Sequence, residues 1–290
     1  MRIHLPRTLD EALEIKARDP EAVPLAGGTD LMVLLNFGRL RPPALLEISR
    51  LPELRTWRRE NGRFFLGAGL TYSRILSSLA EFRPLVQASR SVGSPQIRNR
   101  GTVGGNLGTA SPAGDALPVL AAYDAEIVLV SAGGRTRRLP WHRFLVGPKQ
   151  TSLAPDELIL GAQWTVTRGP GSFSKVGTRN AMVIAVASLC LVLDEDRRQV
   201  RVALGSVGPT VLRAPEAEAF AAGVLGAAGA WDDPRAPVPE AALEEFGERV
   251  AAAARPIDDV RGTAAYRRHA CRVLGRRALS WALADRRLEH

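Results

Sequence analysis

The stretch RNRGTVGGNLGTASPAGDALP, residues 98–118, sets the tightest limit on how this chain can fold. Gly101, Gly104, Gly105, Gly108 and Gly114 leave bare backbone among small hydroxyl and amide side chains. Glycine tolerates positive φ and lacks the Cβ that would keep a ligand off the main chain. Consecutive N–H groups can then converge on an anion, and a helix N-terminus adds its dipole. VPLAGGTDLMV, residues 23–33, has the same character and falls between an expected strand and an expected helix. Gly27-Gly28-Thr29-Asp30 would form one cradle and Gly104-Gly105-Asn106 a second, with Thr102, Asn106, Thr109 and Ser111 offering hydrogen bonds. Two cradles suit the two phosphates of a dinucleotide. Chain reversal alone also explains paired glycines, and Asp30 would repel phosphate unless it points away. Neither loop is a P-loop, since no Gly-Lys-Ser/Thr occurs, and neither is a GxGxxG following a strand with an acid about 20 residues on.

The surrounding pattern alternates β and α. TLDEALEIKARD (8–19) predicts a helix capped by Thr8 with Glu11 three residues on. AVPL (22–25) and ALLEI (44–48) read as short strands, with a helix over 31–38 between them. Asn61-Gly62 predicts a tight hairpin, and residues 71–82 a helix capped by Thr71. DALPVLAAY (115–123) reads as a helix. A second hairpin turns at Gly133-Gly134, and 156–166 reads as a strand. TRGPGS (167–172) breaks the pattern and suggests a domain boundary. Beyond it an antiparallel sheet and amphipathic helices are expected.

Composition narrows the function classes. Among 290 residues the formal net charge is +9, and lysine occurs only at 16, 149 and 175. GC-rich codon usage accounts for such an arginine bias, and so does an anionic partner. The basic residues are scattered without interleaved aromatics, which argues against nucleic acid. No apolar run approaches the ~18 residues of a membrane span, and no secretory signal precedes the first helix, so a cytoplasmic protein is expected. Cys190 and Cys271 form no metal-ligand pattern and read as buried, inert thiols. His142 and His269 read as structural. Leu288-Glu289-His290 resembles the start of an expression tag.

Taken together, PLAGGTDL (24–31), RGTVGGNLGTASPAGDALPVLAAYDAEI (100–127), FSKVGTR (173–179) and DDVRGTAAYRRHACRVLGRRAL (258–279) are similar, in order and spacing, to the FAD-binding medium subunit of molybdenum hydroxylases. That group includes xanthine dehydrogenase, aerobic carbon monoxide dehydrogenase and hydroxybenzoyl-CoA reductase. The resemblance implies an α+β fold: an FAD-binding region of two α+β subdomains of the vanillyl-alcohol-oxidase-like type, then an α+β C-terminal domain. The corresponding spans are 1–168, divided near 54, and 169–287. It implies FAD as cofactor, with no metal site and no acid–base catalytic residue on this chain. It implies a small iron–sulfur subunit and a large molybdenum-cofactor subunit as partners, with NAD or a quinone as electron acceptor.

Carried over by residue, Pro24, Leu25, Ala26, Gly27, Gly28, Thr29, Asp30 and Leu31 would bind the FAD diphosphate and neighbouring groups. Thr102, Val103, Gly104, Gly105 and Asn106 would form a second wall. Asp115 would hydrogen-bond a polar part of the cofactor, with Ser111 nearby, and Ile159 would pack near the flavin. Lys175 would lie close to the isoalloxazine, where a cation stabilises reduced, anionic flavin. A surface position for Lys175, and a plain helix-capping role for Asp115, are the alternatives. Tyr72, Tyr123 and Phe173 are candidates to shield the ring, or simply core. The Thr29-Asp30 pair is closer to the xanthine dehydrogenase and hydroxybenzoyl-CoA reductase side, leaning away from carbon monoxide as substrate. A stand-alone flavin oxidase or reductase and a flavin-free scaffold are the competing readings.

Overall fold

The computed structural model describes residues 1–289. Its strands are β1 (Arg2–His4), β2 (Val23–Leu25), β3 (Ala44–Glu47), β4 (Trp57–Glu60), β5 (Arg63–Gly67), β6 (Glu126–Ser131), β7 (Arg135–Pro140), β8 (Leu145–Gly147), β9 (Gln150–Thr151), β10 (Leu158–Thr165), β11 (Gly171–Val176), β12 (Ala187–Asp194), β13 (Gln199–Gly205) and β14 (Leu212–Arg213). The helices are α1 (Leu9–Arg18), α2 (Leu31–Asn36), α3 (Tyr72–Ser78), α4 (Arg83–Ser91), α5 (Pro95–Arg100), α6 (Val103–Thr109), α7 (Ala116–Ala122), α8 (Trp141–Phe144), α9 (Pro215–Ala227), α10 (Glu240–Ala253) and α11 (Ala264–Glu289).

These elements form two compact units. The first comprises Met1–Ser78, Val92–Ser111 and Asp124–Thr165; the second comprises Leu79–Ser91, Pro112–Tyr123 and the chain from Val166 onward. Helices α4 and α7 therefore belong to the second unit although they flank the glycine-rich stretch in sequence.

In the first unit, β1, β3 and β2 make a parallel sheet in that order. The α1 crossover buries Ala12 and Leu13 against it. Its N-terminus is locked locally: Glu11 N donates to Thr8 Oγ1 at 3.2 Å, and Arg7 N donates to Glu11 Oε2 at 2.7 Å. Lys16 is buried beneath the helix, where its Nζ reaches the carbonyls of Pro20 and Ala22, and burial lowers its pKa. A second, antiparallel sheet runs β4-β5-β10-β6-β7. Asn61 and Gly62, with φ of 51° and 71°, make the mirror-image turn that joins β4 to β5 with the strand twist preserved.

The 71–82 segment is helical only to Ser78, and the glycine-rich stretch is not a plain loop. It carries α5 and α6, both capped by hydroxyls, because Ser94 and Thr102 each accept from the N–H three residues on. The cap lets a segment with glycines inside it remain helical.

In the second unit, β11-β12-β13-β14 form an antiparallel sheet. β12 is buried along its whole length. Ala187, Leu189, Leu191 and Leu193 pack into one core with α9, α10 and α11. The alternate residues face the side where α7 packs, which is why the strand reads as an unbroken apolar run. Among the described residues no helix is long and apolar enough to cross a membrane.

Candidate functional site

The first glycine loop follows β2 and leads into α2. Gly28 has φ +75°, the left-handed region that favours glycine. A Cβ on Gly27 would stand 2.0 Å from Arg100 O, so this glycine is fixed by the approach of another backbone segment rather than by a ligand. The loop's distinctive property is its donors. The consecutive N–H groups of Gly27, Gly28, Thr29 and Asp30 donate no hydrogen bond within the described residues. Asp30 stands at the N-cap position of α2 without capping it; its Oδ2 instead accepts from Thr109 Oγ1 at 3.4 Å.

The second glycine segment differs from the expected cradle. Val103 N donates to Leu70 O at 3.2 Å and Gly104 N to Ala68 O at 2.8 Å. Gly105 N donates to Thr102 Oγ1, and Asn106 N to Thr102 O, each at 3.0 Å. All of these donors are engaged inside the protein, so 103–106 presents no row of open N–H groups. Gly104 is required for packing, since a Cβ there would lie 2.6 Å from Ala68 Cβ. Gly105 and Gly108 are exposed, and side chains there would meet only Thr102 Oγ1 at 3.1 Å and Ile159 Cδ1 at 3.7 Å. The segment thus offers a flat, side-chain-free helix face rather than a nest. Asn106 Oδ1 is buried there without a hydrogen-bond partner. Ile159 reaches this face from β10, whose pairing with β6 shifts register between Ile159 and Gly161; such a bulge re-aims a side chain.

In the second unit, Asp115 begins α7 but makes no capping bond. Its Oδ2 accepts from Lys175 Nζ at 2.6 Å and from Ser91 Oγ at 3.0 Å, while Lys175 Nζ also donates to Ser91 O at 3.1 Å. The side chains of Lys175 and Asp115 are 9% and 5% exposed, so neither the surface reading of the lysine nor the capping reading of the aspartate describes them. Burial raises the Asp115 pKa, opposed by the Lys175 charge and hydrogen bonds. Asp115 Oδ1 has no partner. Ser91, at the end of α4, was not expected here; no sequence signal distinguishes it from any helix-terminal serine. Tyr72, Tyr123 and Phe173 are all buried, with Tyr123 edge-on to Phe82 at 6.0 Å. Ser111 is half-buried at the end of the first unit's second segment.

Residues 1–163 match the family described as FAD binding domain in molybdopterin dehydrogenase, and residues 172–282 match the CO dehydrogenase flavoprotein C-terminal domain. The chain belongs to this flavoprotein family. Its cofactor is FAD, and it is an oxidoreductase component. It is 31% identical over 277 residues to the glyceraldehyde dehydrogenase medium chain of Sulfolobus acidocaldarius, covering 93% of this chain and 94% of that one. It is 29% identical to the carbon monoxide dehydrogenase medium chain of Hydrogenophaga pseudoflava, covering 97% and 96%. A carbon monoxide dehydrogenase structure from that organism, which lacks the Mo-pyranopterin moiety of its cofactor, superposes with a TM-score of 0.85 at 28% identity, covering 99% of this chain and 98% of that one.

The residues present fit this family's flavin. Within the first unit, open N–H groups at 27–30 suit a diphosphate, the face at Gly105 and Gly108 admits a flat group, and the orphaned oxygen of Asn106 can accept from a hydroxyl or imide donor.

Proposed function

We propose that this chain is the FAD-binding electron-transfer subunit of a molybdenum hydroxylase complex. In that role it serves a small iron–sulfur subunit on the donor side and NAD or a quinone on the acceptor side, while the organic substrate is handled by a large molybdenum-cofactor subunit. FAD, when bound, supplies the ability to exchange electrons singly and in pairs.

The observation that carries this reading is the open row of N–H groups at Gly27–Asp30, in a chain whose first 163 residues match an FAD-binding family. These donors hold the diphosphate, and the preceding Pro24, Leu25 and Ala26 set the loop's entry. Leu31 begins the helix whose N-terminus backs the loop. In the same unit, Thr102 fixes α6, so that Val103, Gly104, Gly105 and Asn106 present a constant face, and Ile159 lines it. In the second unit, Asp115 and Lys175 are polar contacts of the cofactor, with Ser91 holding both in place. Ser111 is a further contact of the cofactor. A cytoplasmic location accords with this role.

The test is the absorbance spectrum of the purified chain, with release and identification of any flavin, followed by co-purification with its partners. Stoichiometric FAD, lost in a folded Gly105→Trp variant, supports the assignment. A folded chain that neither carries FAD nor takes it up, alone or with its partners, overturns it. Turnover of an organic substrate by the isolated chain would favour the stand-alone enzyme instead.

A further inference from the structure

The first unit contains a cavity of about 630 Å³ lined by Arg50, Pro52, Arg55, Gly69, Leu70, Thr71, Ser73, Arg74 and Ser77. None of the residues proposed for the flavin lines it. Its charge is one-sided. Arg50, Arg55 and Arg74 face it, and no carboxylate does. Elsewhere the guanidinium groups are commonly neutralised: Arg137 by Glu157, Arg213 by Glu218, Arg267 by Asp259 and Arg286 by Glu195. Arg50, Arg55 and Arg74 make no ion pair among the described residues. Glu53, between two of them in sequence, is occupied in accepting from Leu9 N at 3.1 Å. Like charges gathered round one concavity repel, and a bound anion relieves that repulsion.

Two features indicate a preformed site. Arg74 is held over the Trp57 ring, 5.3 Å from its centroid, which restricts the guanidinium. The wall from Gly69 to Thr71 is braced from behind: Val103 N donates to Leu70 O, and Thr71 pairs with Thr102. Thr71 Oγ1 accepts from Arg74 N at 3.3 Å, while Ser73 Oγ donates to Asn99 Oδ1 and Ser77 Oγ to Arg74 O, so these hydroxyls fix the wall and the guanidinium groups are the donors left for an anion. Guanidinium forks match phosphate geometry, and a cavity of this size accommodates a nucleotide-sized molecule.

We infer that this cavity binds a phosphate-bearing small molecule through Arg50, Arg55 and Arg74, at a site separate from the flavin loops. The inference does not depend on the electron-transfer role. The test is calorimetric titration of the FAD-loaded chain with pyrophosphate and with ATP at about 0.15 M salt. The expected result is saturable binding of at least one probe, weakened at least tenfold by Arg55→Ala and by Arg74→Ala, and lost in the triple Arg→Ala variant. Ser77→Trp, which fills the cavity without removing charge, should abolish it too. Arg18→Ala, at an exposed arginine outside the cavity, should bind as well as wild type. The inference fails if neither probe binds the wild-type chain. It also fails if the triple variant, folded by circular dichroism, binds unchanged.

Discussion

The two glycine-rich segments of the first unit look alike in sequence and do opposite things with their backbone. At 27–30 the N–H groups are left open, while at 103–106 each one is engaged by Leu70, Ala68 or Thr102. The first segment is built to donate and the second to be featureless. The Asp115–Lys175–Ser91 cluster follows the second pattern, with most of its polar atoms satisfied internally and one carboxylate oxygen left over. Glycine content alone therefore does not identify an anion cradle; the fate of each N–H does.

The sharpest way to break the contrast is Gly27→Ala. Its methyl group would meet Arg100 O at 2.0 Å, backbone against backbone, so neither partner can swing away. A loss of roughly 3 kcal/mol or more is expected, read as a lower urea midpoint together with loss of flavin. Lys175→Met comes next. Removing one member of a buried pair leaves Asp115 uncompensated, which costs about 3 kcal/mol.

The pH dependence of that pair has a definite sign. Burial raises the folded Asp115 pKa above its ordinary value of 3.8, so the folded chain holds this proton more tightly than the unfolded one. Its contribution to stability is complete below that ordinary value and declines as pH rises through the folded pKa. Lys175→Met should deepen the decline and Asp115→Asn remove it, as followed by thermal melts across pH 3–8.

Gly105→Trp separates binding from folding. Position 105 is exposed, so thermal stability should stay near wild type while FAD affinity falls about 100-fold, or ~2.7 kcal/mol. The smallest expected effect is that of Thr102→Ala, which removes the α6 cap and costs about 1 kcal/mol. Flavin affinity should change little, because the cap braces the helix face without belonging to it.

Much of this was legible where the cause is local. The Thr8–Glu11 cap and the Asn61-Gly62 turn are decided by residues a few positions apart, and the structure has both. Helices α4, α5 and α6 were not legible. Within α4, Leu85, Ala88 and Ser89 recur on one buried side, a period short enough to overlook beside the glycine-rich stretch; α5 buries no residue, and glycines within 103–109 conceal a helix that depends on the Thr102 cap and on hydrogen bonds to Ala68 and Leu70. The engagement of the second segment's donors is likewise a long-range fact. The pairing of Lys175 with Asp115, sixty residues apart, also comes only from the way α4 and α7 pack on the sheet of the second unit. The family resemblance singled out each of these two residues without indicating that they touch.

Cys190 and Cys271 are both buried, and burial holds both thiols in the protonated form, with Cys271 pushed up to about 12. The native chain is consequently silent to alkylating reagents. Modification with iodoacetamide should proceed only through opening of the second unit, so the labelling rate becomes a clock for that event. A single cysteine placed on the surface, for example at Ser77 beside the arginine cavity, could carry a spectroscopic label against no background.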